Sequence, residues 1–134
     1  MNTLVDCVLL IDDDKATNFF NKRVVTKHKG FGEVNTVQSG MAALEYLISV
    51  GDNKATKPDL IFLDINMPAM NGWEFLTEFS KLDSKITRDI KIILLSTSSN
   101  PDEVIASSKN HSVDDFINKP LSLNLLDDVL ENHF

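Results

Sequence analysis

Cys7-Val8-Leu9-Leu10-Ile11-Asp12-Asp13-Asp14 is an apolar run that stops on three carboxylates. The same arrangement returns at Leu60-Ile61-Phe62-Leu63-Asp64 and at Phe116-Ile117-Asn118-Lys119-Pro120. Runs that are apolar throughout, rather than at alternate positions, belong to strands covered on both faces, as in a buried parallel sheet. In open α/β sheets ligands bind outside the carboxyl ends of the strands. Several acids and one lysine are therefore expected in a single crevice. Carboxylates gathered that closely repel one another, and the repulsion is relieved by protonation, by a lysine or by a divalent cation. A lysine and a hard metal ion are the natural answer here.

Working outward, apolar runs alternate with amphipathic stretches along the whole chain, without a repeat or a low-complexity linker. Val8 to Ile11 read as the first strand. Ala16, Phe19, Phe20 and Val24 then recur at helical spacing up to a Lys27-His28-Lys29-Gly30 stop. Glu33 to Val37 read as a second strand. Gly40 opens a helix whose expected buried stripe is Met41, Leu44, Leu47 and Ile48. Leu60 to Leu63 give a third strand, and Trp73, Phe75, Leu76, Phe79 and Leu82 the helix after it. Ile90 to Leu95 read as a central strand. Asn100-Pro101-Asp102-Glu103 carries a cap, a first-turn proline and acids near the positive helix end, so it starts a helix, one with few apolar residues. Phe116 and Ile117 make a short fifth strand, and Leu123, Leu126, Val129 and Leu130 a last helix. The sum is an α/β protein of (βα)5 form. Right-handed crossovers place its helices on both faces of a parallel sheet, a three-layer sandwich, and the flavodoxin-like order 2-1-3-4-5 is the commonest for that strand count.

The sequence has 134 residues, enough for one domain with a sizeable core, and 1–134 is read as a single domain. A net charge of −7 argues against a nucleic-acid binder, which normally presents a basic face. No apolar stretch approaches the roughly 20 residues that cross a bilayer, and no basic-then-apolar leader is present. The single Cys7 rules out an intramolecular disulfide and reads as a buried small hydrophobe, so a cytoplasmic, soluble protein is expected.

Asp12-Asp13 after strand one, Asp64 after strand three, Ser96 after strand four and Lys119-Pro120 after strand five form one ordered set. It resembles the receiver domain of two-component response regulators, in particular the stand-alone, chemotaxis-type receivers. The run Asp64-Ile65-Asn66-Met67-Pro68-Ala69-Met70-Asn71-Gly72 is similar to that family's phosphoacceptor loop. The resemblance implies that Asp64 accepts a phosphoryl group from a phosphohistidine on a histidine kinase or histidine phosphotransfer protein. It implies Mg²⁺ held by Asp13, Asp64 and the main-chain carbonyl of Asn66, with Asp12 acting through a water. Lys119 would pair with Asp64 and later with the phosphoryl group, and Pro120 would follow a cis peptide bond. Ser96 would bond the phosphoryl oxygen and Phe116 would be the switch aromatic, lacking the hydroxyl of the commoner tyrosine. Thr97 stands where a small residue is usual, and its β-branch would crowd the entrance. The output would be altered binding of a downstream protein target. Dimerisation through the last helices stays open.

Each motif also has an ordinary structural use. Asp12 to Asp14 could cap the following helix, and Asp14 is read as doing only that. Asp64 could be a loop acid and Lys119-Pro120 a surface turn, while His28, His111 and His133 stand at no ligand spacing and are read as solvated. Two other functions compete. An Asp-nucleophile, Mg²⁺-dependent phosphatase of the haloacid-dehalogenase type needs a second acid two residues after its nucleophile, where this chain has Asn66. An unphosphorylated receiver-like scaffold would have no need of Asp12, Asp13, Asp64, Ser96 and Lys119 together. A nucleotide-binding flavodoxin-like domain lacks its Gly-rich phosphate loop here.

Overall fold

The computed structural model describes residues 4–96 and 112–134. Five parallel strands, β1 (Val5–Ile11), β2 (Phe31–Val37), β3 (Leu60–Asp64), β4 (Lys91–Ser96) and β5 (Asp115–Asn118), form one sheet. Their order is β2-β1-β3-β4-β5, the flavodoxin-like order expected as the commonest for five such strands. The helices are α1 (Lys15–Lys27), α2 (Gly40–Gly51), α3 (Gly72–Ser80), a single turn α4 (Ser84–Thr87) and α5 (Leu123–His133). The turn α4 was not legible as a helix: four residues carry no periodicity, and only the Asp83 side chain, accepting from the Lys85 N–H at 2.9 Å, marks its start. Thr97, Ser98, His111 and the helix start at Asn100-Pro101 lie outside the described residues.

Side-chain alternation along the strands divides the core into two layers. Val8, Leu10, Leu60, Phe62, Ile93 and Leu95 face one way and pack with Val25 of α1 and Leu126 and Val129 of α5. Leu9, Ile11, Ile61, Leu63, Ile92 and Leu94 face the other way, against Ala43 and Leu47 of α2 and Phe75, Leu76 and Phe79 of α3. Strands apolar on both faces are required by this layering. Cys7 is buried in β1 as expected, and burial pushes its thiol pKa up, with the nearby Glu33 and Asp59 carboxylates acting in the same direction.

Two helix faces differ from the sequence reading. In α2 the buried residues are Gly40, Ala43 and Leu47, while Met41 and Ile48 point to solvent. This helix is apolar nearly all round, so periodicity could not choose its inner face; the start fixed by the Ser39 cap does. In α1 the inner face is Asn18, Asn21 and Val25, and Phe19 and Phe20 are 65% and 48% exposed. Hydrophobicity pointed to the wrong side because two buried positions carry amides.

His28 and His133 are also not solvated. Their side chains are 14% and 15% exposed. The His28 Nε2 lies 2.6 Å from Asp127 of α5, and its Nδ1 accepts the Gly30 N–H at 2.9 Å. His133 Nε2 lies 2.9 Å from Asp115 of β5. These partners are 99 and 18 residues away in the chain, so sequence spacing could not reveal them.

The layering predicts a sharp contrast between two phenylalanines. Phe62→Ala, in the fully buried centre of β3, should lower unfolding free energy by about 3–5 kcal/mol. Phe19→Ser should change it by no more than about 0.5 kcal/mol. Urea unfolding of the two variants beside the parent checks both.

Candidate functional site

The registers of the sheet bring the acids together. Ile11 of β1 is paired with Leu63 of β3, so Asp12 and Asp64 stand one residue further on at neighbouring strand ends. Ser96 ends β4 opposite Asn118 of β5, and the Lys119 N–H donates to the Ser96 carbonyl at 2.7 Å. The Lys119-Pro120 peptide bond is cis, as the family resemblance implies. Lys119 reaches back across the strand ends. Its Nζ lies 2.5 Å from Asp12 Oδ2 and 3.2 Å from Asp64 Oδ1, so the ammonium bridges the two carboxylates and lies nearer to Asp12 than to its expected partner Asp64.

Burial and charge act in opposition here. Asp64 is 6% exposed, and its pKa is raised, first by burial and then by the charge on Asp12; Lys119 and the Asn66 main-chain N–H hold it back from rising further. For Lys119, burial disfavours the charge, but the Asp12 and Asp64 carboxylates outweigh it and raise its pKa. The lysine is therefore charged at neutral pH and partly neutralises two acids.

Asp12, Asp13 and Asp64 each offer a carboxylate oxygen, and these lie within 4.8 Å of one another. Asp12 and Asp64 are buried and Asp13 is exposed, so the group opens toward solvent. An all-oxygen set with excess negative charge and an open side suits a small hard divalent cation that keeps some of its water. The residues present fit such an ion. Asp14, by contrast, is the N-cap expected for α1: it accepts from the Ala16 N–H at 3.0 Å and from Thr17 Oγ1 at 2.8 Å, and the Thr17 bond, followed by the Ala16 one, lowers its pKa.

The loop after Asp64 is closely braced. Asn71 caps α3 reciprocally with Glu74, its Oδ1 accepting the Glu74 N–H at 2.9 Å while its own N–H donates to Glu74 Oε1 at 3.0 Å. Ala69 takes a left-handed φ of 64° in a tight turn closed by the Met70 N–H on the Pro68 carbonyl at 2.7 Å. The Gly72 N–H donates to the Ile65 carbonyl at 2.7 Å, and a Cβ on Gly72 would stand 2.9 Å from Ile65 Cα and 3.0 Å from the Asp64 carbonyl oxygen. Only glycine lets the start of α3 approach the strand end so closely. Asn66 is exposed, with its N–H directed to the Asp64 carboxylate.

Ser96 is 1% exposed at the end of β4, beside the Lys119 main chain. Phe116 is partly buried against the α2–α3 side of the core. One residue near the site was missed from the sequence. Asn18 of α1 is 4% exposed, and its Nδ2 donates to the Asp12 carbonyl at 2.8 Å and to the Val37 carbonyl at 3.0 Å. Its Oδ1 is buried without a partner among the described residues, a deficit worth about 1–3 kcal/mol. The available signal was a polar residue one turn into a helix that follows an acidic strand end.

Comparison with known proteins agrees with this geometry. The family model for the response regulator receiver domain matches residues 8–131. Response regulator Rcp1 of Synechocystis is 35% identical over 105 residues, covering 78% of this chain and 70% of Rcp1. The crystal structure of Rcp1 in its Mn²⁺-bound form superposes with a TM-score of 0.72 at 31% identity, over 94% of this chain and 89% of that one. A two-component response regulator from Cytophaga hutchinsonii gives a TM-score of 0.86 at 34% identity, covering 96% of this chain and 95% of its own. The phosphorylated cyanobacterial phytochrome response regulator RcpA gives 0.74 at 34%, covering 94% and 89%. The chain belongs to the response regulator receiver domain family, and the fold is that of a two-component signalling receiver. Among the described residues no helix is long and apolar enough to cross a membrane.

The raised pKa of Asp64 has a defined sign for stability. Folding favours its protonated form, so the contribution of this side chain is greatest in acid and is lost as pH rises through the folded-state value. Asp64→Asn, neutral and of the same shape, should therefore raise the urea midpoint at pH 7, and the gap to the parent should shrink on acidification toward about pH 4. Parallel urea titrations across that range check the sign.

Proposed function

We propose that this receiver accepts a phosphoryl group on Asp64 from a phosphohistidine of a histidine kinase or histidine phosphotransfer protein, and thereby changes its affinity for a downstream protein. The observation that carries the reading is the Lys119 ammonium set between Asp12 and Asp64 at the mouth of a three-carboxylate group. An oxygen of Asp64 attacks phosphorus in line with the P–N bond. The new O–P bond forms as the P–N bond breaks, and the bonding pair leaves with the imidazole nitrogen. A carboxylate needs no proton removed to act this way, but its charge opposes approach to a phosphoryl group, so neutralisation and alignment are the main requirements. Lys119 supplies a fixed positive charge there.

Asp12, Asp13, Asp64 and the main-chain carbonyl of Asn66 are the groups that would hold Mg²⁺, Asp12 through a water. The ion would supply charge neutralisation for both the attacking carboxylate and the phosphoryl oxygens. Ser96 would bond a phosphoryl oxygen on Asp64, a reading supported by its position at the end of β4 beside the Lys119 main chain, while Phe116 would be the switch aromatic and the β-branch of Thr97 would crowd the entrance. Phosphorylation turns a carboxylate of charge −1 into an acyl phosphate of roughly −1.5 to −2, a net gain of up to about one negative charge together with new acceptor oxygens. A full switch from 1:99 to 99:1 takes about 5.5 kcal/mol of differential stabilisation, which charge-assisted bonds from Lys119 and Ser96 can largely provide. The phosphatase alternative loses ground because Asn66, an exposed amide, occupies the position of the required acid.

The partner has a natural approach. α1 carries Lys15, Lys22, Arg23 and Lys27 and no acid, although the whole chain is strongly acidic. Its exposed Phe20 lines a cleft with Ala16, Thr17, Asn21, Lys119 and Pro120, directly beside the site, and the exposed Phe19 lies further along the helix with Arg23 and Lys27. An acidic, apolar-centred partner surface is the complement of that face.

Intact mass after incubation with acetyl phosphate and Mg²⁺ should rise by one phosphoryl group in the parent and not in Asp64→Asn; a gain in that variant would refute the assignment. At a Mg²⁺ concentration a hundred times its Kd, the parent should gain about 2.7 kcal/mol of unfolding free energy, and Asp64→Asn much less. Lys119→Ala should still bind Mg²⁺ but lose the coupling between phosphorylation and target binding. Phosphorylation-dependent target binding in that variant, measured by calorimetry, would count against the role given to Lys119.

A further inference from the structure

Asn18 is held where a side chain of its kind is poorly served. It is almost fully buried between α1 and the sheet, its two amide protons are used, and its Oδ1 finds no partner among the described residues. An aliphatic residue would leave no such acceptor unpaired, so the two donors must matter for what they hold. They hold the carbonyls of Asp12 and Val37, at the ends of neighbouring strands β1 and β2. The strands are already joined at that level by the Asp12 N–H on the Val37 carbonyl at 3.2 Å. The addition made by Asn18 is therefore the grip on the Asp12 carbonyl.

That carbonyl belongs to the rigid peptide plane whose other end is the nitrogen of Asp13. The Asp13 side chain is exposed and makes no ion pair or hydrogen bond among the described residues, so its direction is set by the backbone that carries it. Asp12 is different, since its side chain is tied by Lys119 and by the Asp14 N–H, which donates to Oδ1 at 3.0 Å. The Asn18 N–H donates to the Asp14 carbonyl at 3.0 Å, the first i→i−4 bond of α1, so the grip on the Asp12 carbonyl belongs to its side chain alone.

We propose that Asn18 is a positioning residue for the cation-binding acids: by holding the Asp12 carbonyl it orients the peptide plane that carries Asp13. The proposal rests on the reading of Asp12, Asp13 and Asp64 as a divalent-cation site. Groups that orient metal ligands typically change affinity by 10–100-fold when removed. Asn21, one turn along the same buried face, also has an unpaired Oδ1 and makes no hydrogen bond to the acids among the described residues, so it serves as the matched control.

The experiment is calorimetric Mg²⁺ titration of the parent, Asn18→Leu and Asn21→Leu, each first shown to be folded by circular dichroism and urea unfolding. The expected result is a Kd weakened about 10-fold in Asn18→Leu and within about twofold of the parent in Asn21→Leu, with both variants shifted in urea midpoint. Should Asn18→Leu not fold, Asn18→Ser, which keeps one donor, replaces it and should show an intermediate weakening. A merely structural role would move the urea midpoint and leave the Kd of the folded protein unchanged; that result, or equal weakening in both helix variants, overturns the proposal. Failure of the parent itself to bind Mg²⁺ would instead remove the cation-site reading, and this inference with it.

Discussion

Asp12 and Asp64 end neighbouring strands of a parallel sheet, nearly buried, with the ammonium of Lys119 between them. Two carboxylates this close and this dry repel one another, and the Lys119 ammonium, brought by the strand at the sheet edge, offsets part of that cost together with the Asp14 and Asn66 N–H groups. Much of the surrounding structure serves that meeting. The parallel registers set the strand ends level, the Ser96 carbonyl fixes the Lys119 main chain, and the close approach of Gly72 keeps α3 against the end of β3. The pKa of Asp64 stays raised, first by burial and then by the charge of Asp12, even with Lys119 beside it. A divalent cation, or a phosphoryl group carrying its own demand for positive charge, enters a site whose energy is already poised for it.

The same constraint explains why this edge of the protein is built from main-chain contacts more than from side-chain packing. Below the strand ends the core is a continuous two-layer arrangement of aliphatic and aromatic side chains that resists change. At the strand ends the chain turns, and nearby N–H donors hold two of the carboxylates and one carbonyl: the Asp14 N–H onto the Asp12 carboxylate, the Asn66 N–H onto Asp64, and the Asn18 amide onto the Asp12 carbonyl. Ser96 and Phe116 lie on the neighbouring strands β4 and β5.

The helices show where pattern reading loses its hold. In α1 the expectation that phenylalanine faces inward fails at Phe19 and Phe20 because the inner positions are occupied by Asn18 and Asn21. In α2 apolar residues surround the helix, so no stripe distinguishes Ala43 and Leu47 from Met41 and Ile48. Both departures leave apolar side chains in water. On α1 these sit among lysines and arginine beside the site, which gives that face a recognisable character that the acidic total charge conceals.

The strands, their parallel character and the gathering of Asp12, Asp13, Asp64 and Lys119 at one edge were legible in the chain, because fully apolar runs that end in polar residues encode both burial and the edge at which ligands gather; the strand order followed only from its being the commonest for five such strands. The capping roles of Asp14 and the inert burial of Cys7 were legible for the same reason: both are local consequences of residue type and neighbouring sequence. Tertiary structure alone decided that Lys119 leans on Asp12 as well as Asp64, that His28 and His133 reach Asp127 and Asp115, and that Asn18 grips the acidic loop. Each of these depends on distances between segments remote in sequence, set by sheet register and helix rotation, and no periodicity within one segment carries that information.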